Sequence, residues 1–501
     1  MIVVSIFIVT VVSYCIIELI KYVKWAIRAA NMTYNIPGPK PWPIIGSAHL
    51  FVNINSSEDV LYTFNGLFHK YCAPARKILK VWFGPKLVIG VCSPKHVEAI
   101  LSSEDALQKD KVYQLFGIIG NGVIIKNGQE WRDLRKPLDK LLTKKMVESN
   151  LEMFHDTALK VCKVISKHAE KGETFNIRRN LTDYGIDTLC ASTFGYALNE
   201  VEKEENNFLD LFEKMRELTI KLVFRVLNHF SLLNANLSSD GRRLKKLAES
   251  FWKLIYKVIK QSIDDRKKLG EDVDAKPALY SDIIAQKATK DKLSWEETGR
   301  LATDFVFAGF DTSSVITSYI ILMLAMYPEH QEKVYKEQLD ILGEDPLVSP
   351  TPQQLSKMTY LTRIIKELIR LYSPPAIFRT LTNDLDLGDG IKLPKGCMAL
   401  IAFMYLHRDP DIWSHPEEFY PDHFLPEEVA ARPKGAYLPF SWGPRSCPGS
   451  IYAMTSIKVI VSALIRRYKF ETDLTFDQLE YRYSLLMEVS QGYMVRIKSR
   501  Y

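Results

Sequence analysis

Phe440-Ser441-Trp442-Gly443-Pro444-Arg445-Ser446-Cys447-Pro448-Gly449 stands directly ahead of the helical segment Ile451–Tyr468. Cys447 is thereby placed just before a helix N-terminus, where unpaired N–H groups and the positive end of the helix dipole favour a thiolate. Pro448 suits the first helical turn, where its missing donor costs little. Gly443 and Gly449 permit unusual dihedrals and close backbone approach. Arg445 can pair with an anion beside the sulfur. Three readings of Cys447 compete: a nucleophile served by one of the ten histidines, a buried inert thiol, and a thiolate ligand to a metal centre. An inert thiol needs no surrounding Gly and Arg pattern, whereas a metal-bound thiolate does.

Outward from this loop, 3.6-residue periodicity dominates, in roughly 144–169, 207–230, 243–268, 294–327, 355–372 and 450–468. Short β-like runs occur at Ile78–Val91 and between Ile377 and Ile401. The expected fold class is mainly α with a minor β region. Ser294-Trp295-Glu296-Glu297 reads as a capping box and Tyr327-Pro328 as a stop. The helix between them is roughly 50 Å long and apolar on nearly every face, which makes it central and buried. Its middle, Ala308-Gly309-Phe310-Asp311-Thr312-Ser313-Ser314, contains weak helix formers, with Gly costing about 1 kcal/mol relative to Ala. Such a local violation marks either a functional site or a kink or packing notch.

With these segments in view, the sequence resembles the cytochrome P450 family. The cysteine loop matches that family's F-x-x-G-x-R-x-C-x-G signature at Phe440, Gly443, Arg445, Cys447 and Gly449. The central helix matches its [AG]-G-x-[DE]-T-[TS] signature at Ala308, Gly309, Asp311, Thr312 and Ser313. Glu367 and Arg370 match its E-x-x-R, Trp131 and Arg135 its W-x-x-x-R, and Pro37-Gly38-Pro39 its proline hinge. The four motifs occur in order along nearly the whole chain.

The resemblance implies the cytochrome P450 fold with haem b, and Cys447 as the iron ligand whose electron donation favours O–O cleavage. It places Ala308 to Thr312 on the opposite face. There Gly309 lets dioxygen and substrate approach, Thr312 donates a hydrogen bond during dioxygen activation, and Asp311 relays protons through water or forms a structural ion pair. Trp131, Arg135, Arg379 and Arg445 are expected to hold the haem propionates. Glu367 and Arg370, three residues apart on an apolar helix, are expected to brace the cysteine loop. Two departures stand out. His423 occupies the position of an Arg in the family's F-x-P-x-R-F meander and is expected still to bond the Glu–Arg pair, making haem retention more sensitive to pH. Tyr437–Tyr468 loosely resembles insect relatives of the fatty-acid ω-hydroxylase clan, in which a Glu often stands at the position of Ala308 and esterifies the haem. Ala308 has no carboxyl, so haem is expected to be held without a covalent link.

Composition sets the outer bounds. The 501 residues are 47% hydrophobic and 25% charged, which excludes disordered and fibrous classes. A net charge of +7 over this length gives no indication of nucleic acid. Seven cysteines without a C-x-x-C pair exclude a simple disulfide framework and the usual zinc spacings, and fit a reducing compartment. Met1–Ile17 carries no charge, and Lys21, Lys24 and Arg28 follow the apolar run. Residues 1–20 are expected to be a transmembrane anchor, 21–43 a basic and proline-rich linker, and 44–501 the haem-binding domain. The charge bias is expected to put that domain on the cytosolic side, and the resemblance implies the endoplasmic reticulum membrane. Asp264–Lys292 is the expected flexible stretch, and Leu218–Leu237 the expected cover of a substrate entrance.

No flavin or nicotinamide site is evident, so the resemblance implies electrons from NADPH through a separate cytochrome P450 reductase, with cytochrome b5 as a further partner. Arg132, Arg135, Lys136, Lys140, Lys144 and Lys145 form a basic cluster suited to an acidic partner. The expected activity is insertion of one oxygen atom from O2 into a lipophilic molecule: a fatty acid, a terpenoid or steroid hormone, or a xenobiotic. The rival readings are a P450-type isomerase or dehydratase acting on peroxides, and a non-enzymatic haem or lipid binder.

Overall fold

Ser294 and Glu297 close the capping box from both sides. Ser294 Oγ accepts from the Glu297 N–H at 3.2 Å, and a Glu297 carboxylate oxygen accepts from the Ser294 N–H at 2.9 Å. The helix they start, Trp295–Met326, runs 32 residues to Tyr327, whose successor Pro328 opens the next helix. Most of its side chains are buried, as its all-round apolar sequence requires. This computed structural model describes residues 2–51, 57–72, 77–203, 207–224, 236–271, 278–483 and 486–501.

Helices surround the central one. Arg178–Phe194 crosses it closely because both partners are small at the crossing. A Cβ on Gly309 would meet Leu189 Cδ2 at 2.8 Å, and one on Gly185 would meet the Phe310 carbonyl at 3.2 Å. Gly309 therefore serves helix packing, and the notch expected to open toward dioxygen is filled by Leu189. Ser239–Lys268 and Ser450–Arg467 complete much of the helical core. The expected segment 144–169 is two helices, Lys144–Glu148 and Leu151–Lys171, and 355–372 divides at Met358. Asp264–Lys292, expected to be flexible, is largely helical, in Ser239–Lys268 and Tyr280–Asp291, with 272–277 outside the described residues.

The β region is a five-stranded sheet ordered Ile78–Phe83, Lys86–Val91, Met398–Ile401, Ile377–Thr380 and Gln108–Lys109. Its only parallel pairing among the described residues joins Lys86–Val91 to Met398–Ile401, in register Val88 to Met398. A smaller sheet joins Phe175–Asn176, Met494–Ser499 and Tyr468–Glu471, and two further antiparallel pairs join Leu385–Gly388 to Ile391–Leu393 and Tyr481–Tyr483 to Met487–Val489. The mainly α class with a minor β region is what the sequence predicts.

The N-terminal helix Ile2–Met32 is longer than the expected anchor and runs unbroken through Lys21, Lys24 and Arg28. Its apolar side chains are exposed over most of its length, as a spanning segment requires. Trp295–Met326 is also long and apolar enough to span, but it is buried in the core. The last turns of the N-terminal helix dock on the domain. Trp25 Nε1 donates to the Lys395 carbonyl at 2.7 Å, and Arg28 pairs with Asp384. The proline-rich segment is pinned too, with the Lys80 N–H donating to the Pro37 carbonyl at 2.7 Å.

Glu367 and Arg370, both fully buried, form a two-pronged pair at 2.7 and 2.9 Å on the helix Thr359–Tyr372. Arg370 also donates to the carbonyls of His407, Pro416 and Glu418, so its donors are used. His423 Nδ1 lies 3.2 Å from both Glu367 oxygens, while its Nε2 accepts from the His415 N–H. That pattern puts the ring proton on Nδ1, facing Glu367. His407 carries the brace onward by accepting from the Leu438 N–H at 3.0 Å, two residues before Phe440. Burial, reinforced by the charges of Arg370 and Arg408, pushes His407 down to about 3, which keeps this nitrogen an acceptor at neutral pH.

Burial alone pushes the Glu367 carboxyl up, but hydrogen bonds from Arg370 and His423 outweigh it and hold the group below the ordinary carboxylate range. Glu367→Gln leaves the Arg370 charge buried without its partner, and is expected to lower the unfolding free energy by about 3–5 kcal/mol in denaturant titrations. The carboxylate's contribution is complete above its unfolded-state range and is lost as pH falls through the depressed value, so acid should narrow the gap between wild type and variant. A loss below about 1 kcal/mol at neutral pH would contradict the brace.

Candidate haem-thiolate site

The cysteine loop is shaped by two residues of positive φ, Ser441 at 63° and Gly443 at 73°. Gly443 is required on both counts, because a Cβ there would strike the Leu101 carbonyl oxygen at 2.1 Å. The Cys447 N–H donates to the Phe440 carbonyl at 2.8 Å, closing the loop on itself, and Gly449 caps the helix Ser450–Arg467. A Cβ on Gly449 would lie 3.9 Å from Cys447 Sγ, so glycine keeps the space beside the sulfur clear. Cys447 is accessible although protein surrounds it, as expected of a side chain facing an internal space. Burial pushes its thiol up, and the Gly449 N–H and the charges of Arg135 and Lys109 only partly offset this.

Around the loop lies a group of buried cations. Arg445 packs over the Trp131 ring at 4.0 Å and donates to the Lys126 carbonyl and Asn127 Oδ1, yet its Nε and Nη1 are buried without partners. Burial and the charges of Arg379 and Arg135 push it down to about 9. Arg379, on the strand Ile377–Thr380, is 1% exposed, and burial lowers it as well. Lys109 is pushed well below its ordinary value by burial, Arg379 and Arg445. Among the described residues none of the three is paired with a carboxylate. Orphaned guanidinium donors and uncompensated cations beside an open sulfur fit a group carrying two carboxylates, as haem does.

Trp131, Arg379, Arg445, Phe440, Gly443, Gly449 and Cys447 thus come together. Arg135 lies against the same loop. Its Nη1 donates to the Ser446 carbonyl at 2.6 Å and its Nε to Asp139 at 2.7 Å, which makes it a brace of the cysteine loop. Lys109 and Asn127 escaped the sequence reading. Asn127 joins the Lys109 backbone to Arg445, and no periodicity or motif marks either residue.

A cavity of about 410 Å³ is lined by Ala308, Asp311 and Thr312 of the central helix and by the segment Pro374–Phe378, which ends next to Arg379. Its remaining walls are mainly apolar, including Phe64, Phe68, Val88 and Phe307. Ile220 and Val223 reach it from the helix Asn207–Phe224, while residues 225–235 of the expected entrance cover lie outside the described residues. Thr312 Oγ1 donates to the Ala308 carbonyl at 2.8 Å, which leaves its lone pairs for a donor in the cavity. Asp311 is buried in an ion cluster, 2.5 Å from Arg178 and 3.6 Å from Arg216, both shared with Glu488. With Arg482 on Glu488 and Glu213 on Arg216, three cations and three carboxylates balance there, so Asp311 has a structural partner as well as a face on the cavity.

Asp304, one turn before Ala308, is a further buried acid that the sequence reading passed over. It accepts from the Ile124 N–H at 2.9 Å, and Gly120 and Gly122 leave room for it. Burial pushes it up to about 7, against the pull of backbone N–H groups around Ile124. An acid raised in the fold makes stability decline as pH rises from its unfolded value near 3.8 to about 7. Asp304→Asn keeps the acceptor, and is expected to flatten that decline in thermal or denaturant unfolding measured across this window. An unchanged slope would contradict the assignment.

A model of the family described as "Cytochrome P450" matches residues 36–495. Cytochrome P450 4g1 of Drosophila melanogaster is 28% identical, over 94% of this chain and 90% of its own length. Cytochrome P450 4c21 of Blattella germanica is 29% identical, over 88% and 89%, and cytochrome P450 4V2 of Rattus norvegicus is 28% identical, over 92% and 89%.

Proposed function

The chain belongs to the cytochrome P450 family and is a monooxygenase, and from that premise we propose that it inserts one atom of O2 into a lipophilic molecule, with electrons drawn from NADPH through a separate reductase. One observation carries the site assignment: the accessible Cys447 shares its loop with Arg445, whose buried donors lack an acceptor, and Phe378, next to the buried Arg379, lines an apolar cavity. Cys447 would bind the haem iron through its sulfur, and Arg445, Arg379, Arg135 and Lys109 would hold the propionates, with Trp131 packed under Arg445. When bound, thiolate-ligated haem supplies dioxygen activation and O–O cleavage.

The chain's own groups do the rest. The apolar walls exclude water and orient the substrate over Ala308. Thr312 trades its bond to the Ala308 carbonyl for one directed into the cavity. Asp311 holds or passes a proton once Arg178 or Arg216 releases it. Ala308 carries no carboxyl, so haem is retained without an ester.

The cavity's chemistry supports fatty acids, terpenoid or steroid hormones, or foreign compounds as substrates, and the loose resemblance of Tyr437–Tyr468 to the fatty-acid ω-hydroxylase clan favours the first. The exposed N-terminal helix followed by basic residues supports anchorage in the endoplasmic reticulum membrane with the domain in the cytosol. Arg132, Lys136, Lys140, Lys144 and Lys145 are exposed, and Arg135 of the same surface touches the cysteine loop. This is the face on which an acidic reductase, or cytochrome b5, would deliver electrons over the shortest path.

The deciding experiment is a spectral binding screen of lipophilic compounds, followed by turnover with NADPH and reductase. Hydroxylated or epoxidised product that requires both is expected. Conversion of a peroxide without NADPH would instead favour an isomerase or dehydratase. Lys140→Glu, Lys144→Glu and Lys145→Glu together should slow reductase-driven turnover, most at low salt; unchanged kinetics would contradict the docking face.

A further inference from the structure

Away from the haem site, Cys72 and Cys92 bring their sulfur atoms to 3.4 Å. Cys72 follows the helix Ser57–Tyr71 and Cys92 follows the strand Lys86–Val91. Backbone bonds fix both positions: the Cys72 N–H donates to the Phe68 carbonyl at 2.9 Å, and the Cys92 N–H to the Lys77 carbonyl at 3.0 Å. Cys72 is half-buried and Cys92 is 7% exposed, so one sulfur is open to attack and the other is sheltered. The two thiols share this contact, which draws Cys72 below its ordinary value against burial, and the Cys92 thiol also faces the Lys77 carbonyl at 3.4 Å. Cys92 is correspondingly raised. Among the described residues no other cysteine pair is in contact.

A disulfide requires sulfurs about 2.05 Å apart, so closure needs a shift of roughly 1.4 Å, within the reach of side-chain rotation and small backbone adjustment. We propose that Cys72 and Cys92 are a reversible dithiol–disulfide modification site, oxidised by a low-molecular-weight disulfide such as oxidised glutathione, and that the bond staples one wall of the substrate cavity. The Cys72 thiolate attacks one glutathione sulfur, forming a mixed disulfide and releasing the other glutathione as thiolate, which takes up the Cys72 proton. The Cys92 thiolate then attacks Cys72 Sγ and expels the second glutathione, which takes up the Cys92 proton. Two protein thiols are oxidised, one glutathione disulfide is reduced to two thiols, and no other reactant is needed. Excess reduced glutathione drives both steps backwards.

The wall in question is the joint between the two elements that carry the pair. Phe64, Leu67 and Phe68 reach the cavity from the helix, and Val88 and Gly90 from the strand. Phe68, one turn before Cys72, stacks on Tyr405 with centroids 4.0 Å apart. Its ring also fills the space beside Gly90, where a Cβ would approach it to 3.0 Å. A covalent link at the ends of both elements restrains their separation, and with it the breathing through which a bulky ligand passes. This consequence rests on the monooxygenase reading of the cavity, whereas the disulfide itself does not.

The test uses the purified full-length holoprotein equilibrated in glutathione buffers of graded oxidation, then alkylated and mapped by mass spectrometry without reduction. A Cys72–Cys92 cross-linked peptide that grows with the oxidised fraction and disappears on return to reduced glutathione is expected. Cys72→Ser and Cys92→Ser should each abolish it, with Cys92→Ser leaving glutathione bound to Cys72. Full alkylation of both thiols in oxidising buffer would overturn the site, as would a stable mixed disulfide in the wild type or a bond to another cysteine. In stopped-flow binding of a lipophilic ligand, the oxidised wild type should associate several-fold more slowly than the reduced protein, and Cys72→Ser should show no such dependence. Equal rates with the disulfide formed would overturn the staple, and absence of any ligand binding in either state would count against the monooxygenase reading.

Discussion

A fully buried carboxylate and guanidinium are expensive to place in a protein interior, and Glu367 with Arg370 is tolerable only because nearly every donor and acceptor of the pair is used. That requirement organises the region around it. Arg370 draws in the carbonyls of His407, Pro416 and Glu418, and Glu367 takes the Tyr420 N–H and His423. The segment from His407 to His423 has almost no regular secondary structure and owes its path to these bonds. His407 passes the constraint to Leu438, and Leu438 stands at the root of the cysteine loop. The geometry at Cys447 is thus held from beneath by an ion pair and from the side by Arg135.

The site places two kinds of unmet demand opposite each other. On one side, the buried Arg445 and Arg379 and the half-buried Lys109 pair with no carboxylate among the described residues, an arrangement that costs folding free energy. On the other, an apolar cavity meets the polar middle of the central helix at Asp311 and Thr312. A carboxylate-bearing cofactor that paired with these cations would couple its binding to folding. Asp311 extends the coupling, because Arg216 links it to the helix Asn207–Phe224, whose Ile220 and Val223 line the cavity.

What was legible in the sequence was local or carried by ordered motifs. The central helix announced both its ends, through Ser294 with Glu297 and through Pro328, since caps and stops are short-range. The cysteine loop was equally plain, because a tight turn ahead of a helix demands glycine at fixed offsets. The helix Arg178–Phe194 was not singled out, because it is buried on nearly all sides and shows no polar stripe. Gly309 was assigned to ligand approach, although its partner Leu189 lies 120 residues away in sequence and no local signal names it. The partners of Asp311 and the second role of Arg135 are likewise set by chain segments brought together only on folding. Lys109 carries no motif at all; its importance comes from burial beside two arginines.

The account depends on the sulfur of Cys447 being the axial ligand of a bound haem. The carbon-monoxide difference spectrum of the reduced full-length protein tests this most directly, recorded for the wild type and for Cys447→Ser at equal protein concentration. The account predicts the red-shifted Soret band of thiolate ligation in the wild type and its loss in the variant. A wild type without that band, or a variant that retains it, would contradict the account.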